Sequence, residues 1–315
     1  MRKALVIGIN DYPTAPLNGC VNDANSIANV LESNGDGSPN FSIKLITSPS
    51  DSITKSSLRR AIEELFQGTC DIALLYFSGH GFIKSTGGYL VTTDHQRYDE
   101  GVSMDDILSL ANQSNARDKI IIFDCCHSGA AGTPSISGNN LAQLSEGLSV
   151  LTASRDSESA MEVNGSGVFT SLVVDALKGG AADLRGNISP GSLYAYVDEA
   201  LGAWEQRPIF RTNVTRFTSI RAIAPKIPLQ TLRKIIVYFP APEDHHLLDP
   251  SYEFTDASAV TEKVEIFKDL QKFESVGLVI PVDEEHMYFA AMNSKSCRLT
   301  AMGYQYWRLV NEKKV

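Results

Sequence analysis

Two short segments hold the residue types that nucleophilic catalysis needs. Ser78-Gly79-His80-Gly81 carries an imidazole between glycines, and Asp124-Cys125-Cys126-His127-Ser128-Gly129 carries two adjacent thiols. Cys126 follows His80 by 46 positions. A cysteine nucleophile requires a thiol, an imidazole to take up its proton, and backbone N–H donors for an oxyanion. Glycines beside both groups let the backbone approach a substrate closely. Successive residues of a strand point to opposite faces, so only one of the two thiols can face His80. Local spacing alone does not choose between them.

Each segment follows an apolar run suited to a strand covered on both faces, residues 72–77 before His80 and 120–123 before Cys126. Similar runs predict strands at 4–9, 43–46 and 148–151, with a last one within 210–220. Apolar residues at helical spacing predict helices over 21–31, 58–66, 169–177 and 190–204. Ser103 caps a further helix through Ala111, and Ser189 caps the one whose first helical position is Pro190. This alternation reads as an α/β fold with a mostly parallel sheet flanked by helices. Ligands of such sheets bind outside the carboxyl ends of the strands, where both reactive segments lie.

A linker at 222–228, with Pro225 and Pro228, divides the chain into regions 1–225 and 226–315. The second region reads as helices over 229–238 and 260–273, then strands at 277–280 and 287–291 around the acidic turn Asp283-Glu284-Glu285. A final helix runs from 299 through Leu309. Helix, helix, two-stranded wing, helix resembles a winged-helix module, a small α+β domain. Tyr304, Tyr306 and Trp307 are candidates for its partner surface, with core packing as the simpler role.

With 43% hydrophobic and 21% charged residues over 315 positions, the chain is neither disordered nor collagenous. It carries 28 Lys and Arg against 37 Asp and Glu, a net charge of −9, which argues against non-specific binding to nucleic acid or anionic membrane. Region 226–315 holds 11 basic and 13 acidic residues, so it lacks the basic face of a DNA reader and suits a protein partner better. Five cysteines, an odd number, fit a reducing cytosol rather than a disulfide framework. The N-terminal apolar run is too short for a signal segment, and no stretch approaches the ~18 apolar residues of a membrane span. The expectation is a soluble cytoplasmic protein.

The paired motifs resemble those of caspase-like (clan CD, peptidase C14) cysteine peptidases, in particular the bacterial metacaspase or orthocaspase branch, whose nucleophile segment reads D-x-C-H-S-G. The likeness covers roughly residues 1–220 and includes Gly19-Cys20-Val21-Asn22-Asp23-Ala24 and Val168-Phe169-Thr170. It implies that Cys126 is the nucleophile, His80 the acid and base, and the N–H groups of Gly81 and Cys126 the oxyanion hole. It leaves Cys125 as a packed small residue and His127 as a structural one. It also implies cleavage after Arg or Lys, with Asp23 and Asp124 holding the basic P1 side chain through charge-assisted bonds.

No organic cofactor is implied. Asp94, Asp105 and Asp106 resemble the Ca²⁺-binding acids of metacaspases, although Thr133 stands where the family has a further acid. Residues 130–144, rich in Gly, Ser and Asn, read as a loop near the site. Arg155, Lys178 and Arg185 are candidate self-cleavage positions. By analogy with bacterial proteases that carry appended modules, the chain reads as an effector of defence or signalling. The competing reading is a non-catalytic caspase-like scaffold that recruits partners through its C-terminal module, against which the intact His80 and Cys126 argue.

Overall fold

The computed structural model describes residues 1–84, 87–97, 99–125, 144–153, 162–163, 166–201 and 207–315. Cys126, His127, most of the 130–144 segment and Arg155 lie outside the described residues. The chain folds as two compact units: Met1–Ala182 with Asn187–Ala224, and Asp183–Gly186 with Pro225–Val315.

The first unit runs β1 (Arg2–Gly8), α1 (Cys20–Glu32), β2 (Ser42–Thr47), α2 (Lys55–Phe66) and β3 (Ile72–Ser78). An antiparallel excursion follows, β4 (Gly81–Lys84), β5 (Gly87–Gln96) and β6 (Asp99–Ser103), before α3 (Met104–Gln113) and β7 (Asp118–Asp124). Then come β8 (Leu148–Thr152), β9 (Glu162–Val163), β10 (Ser166–Gly167), α4 (Val168–Asp175), β11 (Asn187–Ile188), α5 (Pro190–Ala200), β12 (Ile209–Asn213) and β13 (Arg221–Ala222).

Six strands form the main sheet in the order β12-β8-β7-β3-β1-β2. All neighbours are parallel except β12, which runs antiparallel to β8. Strand alternation divides the core in two. Ala4, Val6, Leu74, Tyr76 and Ile122 face α1, α4 and α5, whereas Leu5, Ile7, Leu75, Phe77 and Phe123 face α2 and α3. Both faces are buried, which explains why these strands read as unbroken apolar runs. The expected last strand is confined to Ile209–Asn213, and residues 214–220 carry no strand.

α1 lies so close to the sheet that Gly8 has no room for a side chain. A Cβ there would meet the Cys20 carbonyl oxygen at 2.3 Å and the Ala24 Cβ at 2.7 Å. Gly8→Ala is therefore expected to cost about 1–3 kcal/mol by forcing the helix off the strand, as overpacked cores do. Chemical denaturation of the two proteins measures it, and unchanged stability would contradict this packing.

The second unit contains α6 (Leu229–Arg233), α7 (Ile235–Tyr238), β14 (His245–Leu247), α8 (Thr261–Ser275), β15 (Val279–Val282), α9 (Met287–Met292), β16 (Ser296–Leu299) and α10 (Ala301–Asn311). Its sheet order is β14-β16-β15, antiparallel throughout. The strand expected at 287–291 is a helix. Met287, Ala290 and Ala291 are buried while Tyr288 and Phe289 are exposed, the i, i+3, i+4 spacing of one helical face. An apolar run of that length does not distinguish helix from strand by period. The acidic turn consequently links β15 to α9 and does not close a two-stranded wing. Tyr306 and Trp307 pack on this unit's core, Trp307 donating to the Phe239 carbonyl at 2.6 Å, while Tyr304 stays exposed. No described helix of the chain is long and apolar enough to cross a membrane.

Candidate active site

The register of β3 against β7 explains the spacing of the two motifs. Ile72 pairs with Asp118 and Ser78 with Asp124, an offset of 46 residues at both ends of the ladder. His80 and Cys126 are separated by the same number, each two residues beyond a paired strand end. Parallel pairing therefore brings both chain segments out at the same edge of the sheet, side by side.

His80 is held from three directions. Its backbone N–H donates to the Tyr12 hydroxyl at 2.9 Å, and its carbonyl accepts from the Val91 N–H at 2.9 Å. Its ring Nε2 lies 2.7 Å from the Ala15 carbonyl oxygen, which can only accept, so Nε2 carries the proton. That tautomer leaves Nδ1 as the basic nitrogen. The buried Tyr12 ring packs at a tilt on the imidazole, with 4.6 Å between centroids, and its hydroxyl donates to the Val91 carbonyl at 3.3 Å. Burial pushes the Tyr12 hydroxyl well above the usual tyrosine range, so it stays a neutral donor. Gly79 makes this approach possible, since a Cβ there would sit 2.5 Å from the Tyr12 oxygen. Gly81 begins β4 and, with His80, Phe82, Val91 and His95, lines a cleft of about 350 Å³.

Cys125 is buried among the α2 and α3 side of the core, in the same cluster as Tyr12 and Leu17. It behaves as the small packed residue that the motif position implied.

Asp23 and Asp124 meet on the opposite face of the sheet, in the layer of α1 and α4. Both are buried, 2% and 5% exposed. Asp23 stands in the first turn of α1 and accepts the Gly167 N–H at 3.1 Å to Oδ1 and 3.2 Å to Oδ2, with Ser78 Oγ donating at 3.4 Å. Asp124 Oδ2 accepts from Thr170 Oγ1 at 2.5 Å. That donation uses the threonine proton, so the Tyr76 hydroxyl, 2.5 Å away, must donate to Thr170 in turn. Burial first, and the nearby Asp124 charge second, push the Asp23 carboxyl up to about 7. A cleft of about 170 Å³ lined by Asp23, Ser166, Thr170, Ser171, Asp175 and Lys178 opens onto Asp23.

Sequence reasoning missed Tyr12, Ala15, Tyr76, Ser78, Thr170 and Gly167 as parts of this site. Tyr76 and Ser78 share the alternation of β3, which could have placed them beside Asp124. For Tyr12 and the Ala15 carbonyl, which come from the loop after β1, no sequence signal existed.

The Ca²⁺ candidates are not gathered in one place. Asp94 Oδ1 accepts the Lys55 N–H at 3.0 Å and the Thr92 hydroxyl at 2.7 Å. Asp106 pairs with Arg59 at 3.2 Å, and Asp105 shares with it the first turn of α3, capped by Ser103. Among the described residues no group of three or more His, Cys, Asp or Glu side chains converges as a metal site.

Comparison with known proteins bears on residues 1–218, which match the caspase-domain family model. Metacaspase-1 of Saccharomyces cerevisiae is 32% identical over 146 residues, 41% of this chain and 33% of that protein. Metacaspase-1 of Eremothecium gossypii is 38% identical over 86 residues, 25% of this chain and 19% of its own length. The chain thus spans about a third or less of the curated relatives it matches. Among solved structures, caspase-1 of Spodoptera frugiperda superposes with a TM-score of 0.51 at 12% identity, covering 70% of this chain and 90% of that one. A Geobacter sulfurreducens structural-genomics protein gives 0.52 at 16% identity, covering 71% and 98%. What those two structures share with this chain is the fold.

Proposed function

Because this chain belongs to the caspase-domain family of cysteine peptidases, we propose that it is an endopeptidase that cleaves proteins after Arg or Lys through Cys126 and His80. The observation that carries the basic specificity is the buried pair Asp23 and Asp124, beside the strand end that leads to Cys126. In the reaction, His80 Nδ1 takes the Cys126 proton, and the thiolate attacks the carbonyl carbon of the P1 residue. The carbonyl oxygen becomes an oxyanion held by the N–H groups of Gly81 and Cys126. The imidazolium protonates the leaving amine, the C–N bond breaks and a thioester remains. Water, giving its proton to His80, hydrolyses it and restores the thiol.

The Tyr12 hydroxyl serves this chemistry only through the His80 backbone. Tyr12→Phe orphans the His80 N–H and is expected to cost about 1–3 kcal/mol of stability and to lower kcat more than it raises KM. Thermal melts and steady-state kinetics of the variant check both.

The region 226–315 is the further part of the proposal, an α+β module that recruits a protein partner rather than DNA. Its net charge of −2 supports this, from 11 basic and 13 acidic residues. An effector of bacterial defence is the finer reading and rests on the appended module alone, while the cytoplasmic reading rests on the odd cysteine count and the short N-terminal apolar run.

A fluorogenic panel with P1 Arg, Lys and Asp, on wild type and Cys126→Ala, with and without Ca²⁺, tests the function. Turnover of Arg and Lys substrates that Cys126→Ala lacks is the expected result. No turnover of any member would overturn the peptidase reading, and a preference for Asp would remove the assigned P1 pocket. A Ca²⁺ requirement would return Asp94, Asp105 and Asp106 to consideration.

A further inference from the structure

At the end of the main sheet away from the reactive segments, the β12-β8-β7 ladder stops at Asn213, Leu148 and Lys119. Gly147 turns the chain there with φ +81, its N–H donating to the Asn213 carbonyl at 2.8 Å. A Cβ on it would meet the Arg117 carbonyl oxygen at 2.2 Å, so only glycine fits this turn. The segment 214–219 follows β12 without forming a strand. Among these segments lies a cavity of about 690 Å³, within the size range of small-molecule sites.

The charge of this cavity runs against that of the chain. Three cations (Arg117, Lys119, Arg216) and two acids (Asp118, Glu146) line it, in a chain of net −9. Asp118 is already engaged, its Oδ2 accepting the Thr218 hydroxyl at 2.6 Å and the Arg117 Nε at 3.1 Å. Lys119 is 4% exposed, and its ammonium donates to a neutral group, the Glu146 carbonyl oxygen, at 2.6 Å. Burial pushes its pKa down, against the pull of the more distant Asp118 and Glu146 charges. An ammonium has three N–H donors, so others remain for a ligand. Arg216 is exposed and has no acidic partner among the described residues. Beside it Phe217 is 38% exposed, its ring held at a tilt 6.2 Å from Phe210 and packed on Gly191, where a Cβ would lie 2.8 Å from it.

We propose that this cavity binds a phosphate ester with an aromatic body, of the nucleoside phosphate class. The Lys119 ammonium and the Arg216 fork take the phosphoryl oxygens, and the Phe217 ring packs on the base. Phosphate alone would leave most of a cavity this size empty. The other end of β7 is Asp124, which leads to Cys126, so this ligand and a peptide substrate occupy separate ends of the sheet.

Isothermal titration of the full chain with adenosine diphosphate tests it, beside inorganic phosphate and adenosine. Saturable binding of the diphosphate, about 10-fold tighter than either fragment or better, is the expected result. Arg216→Ala, at an exposed position, and Lys119→Met, which keeps the buried stem, should each weaken it about 10-fold or more, as loss of a hydrogen bond to a charged group does. No binding to the wild type, unchanged affinity in either variant, or equal affinity for inorganic phosphate would overturn the proposal. Should Lys119→Met not fold, acetylation of Lys119 in the wild type by an N-hydroxysuccinimide ester, read by mass spectrometry, decides in its place. Slower acetylation with adenosine diphosphate present supports the site, and an unchanged rate overturns it.

Discussion

Asp23→Asn is expected to make the protein harder to unfold and, at once, unable to hold a basic P1 side chain. Asp23 and Asp124 are buried beside each other, and the hydrogen bonds that reach the Asp23 carboxylate come from the neutral donors Gly167, Ser166 and Ser78. Burial and the neighbouring charge hold its carboxyl near 7, against an ordinary value near ~3.9. A raised acid binds its proton more tightly folded than unfolded, so the wild type loses stability as pH rises from about 4 to about 7. The amide does not titrate, so the advantage of Asp23→Asn opens over that window and levels off above it. At pH 8 the variant should melt roughly 2–6 °C higher, the size of shift that modest stabilisation makes in a unit of this length. An unchanged melting temperature across the window would show that the two carboxylates do not repel.

The functional half of the same prediction has the opposite sign. Removing one partner of a buried charge contact costs about 2–5 kcal/mol, so kcat/KM for P1 Arg should fall on the order of 100-fold or more. In the wild type, the affinity for an alkylguanidine competitor should rise as pH increases through about 7, as Asp23 gives up its proton. That inhibition constant separates the pocket from the dyad, because the competitor needs no thiolate. A pH-independent constant would contradict the role of Asp23. Stability withheld at a binding site is a common form of the trade between folding and function.

His80→Ala is the second large effect. The Ala15 carbonyl holds Nε2 as the protonated nitrogen, leaving Nδ1 as the acceptor. Losing that base should reduce turnover by about 10²–10⁴-fold, the usual range for general acid–base catalysis. It should also change Cys126 itself. Alkylation by iodoacetamide, fast near neutrality in the wild type, should in the variant follow the titration of an ordinary thiol near ~8.5. Identical alkylation profiles would show that the imidazole does not activate this thiol.

The proposed dyad rests on a spacing that is also a structural quantity. Forty-six residues separate His80 from Cys126, and the same 46 separate every paired position of β3 and β7. Apolar runs announced both strands, and the motifs announced their ends. The helices that carry Asp23 and Thr170 were equally visible from their periodicity. Two elements were not. The segment 287–291 is a helix because only Met287, Ala290 and Ala291 find cover, which a short apolar run does not reveal. The last strand, β12, runs antiparallel, a direction that no local pattern records.

By itself, then, the chain's order determined which groups can react and that strands deliver them to one edge of a sheet. Only the docking of α1 and α4 on that sheet decided what the acids are. It presses Asp23 against Asp124, turns the bare face of Gly167 toward both, and threads Tyr76 through Thr170 to the second carboxylate. The physical reason is that desolvation and like-charge repulsion depend on distance and burial, and residues far apart in the chain acquire both only when the layers pack.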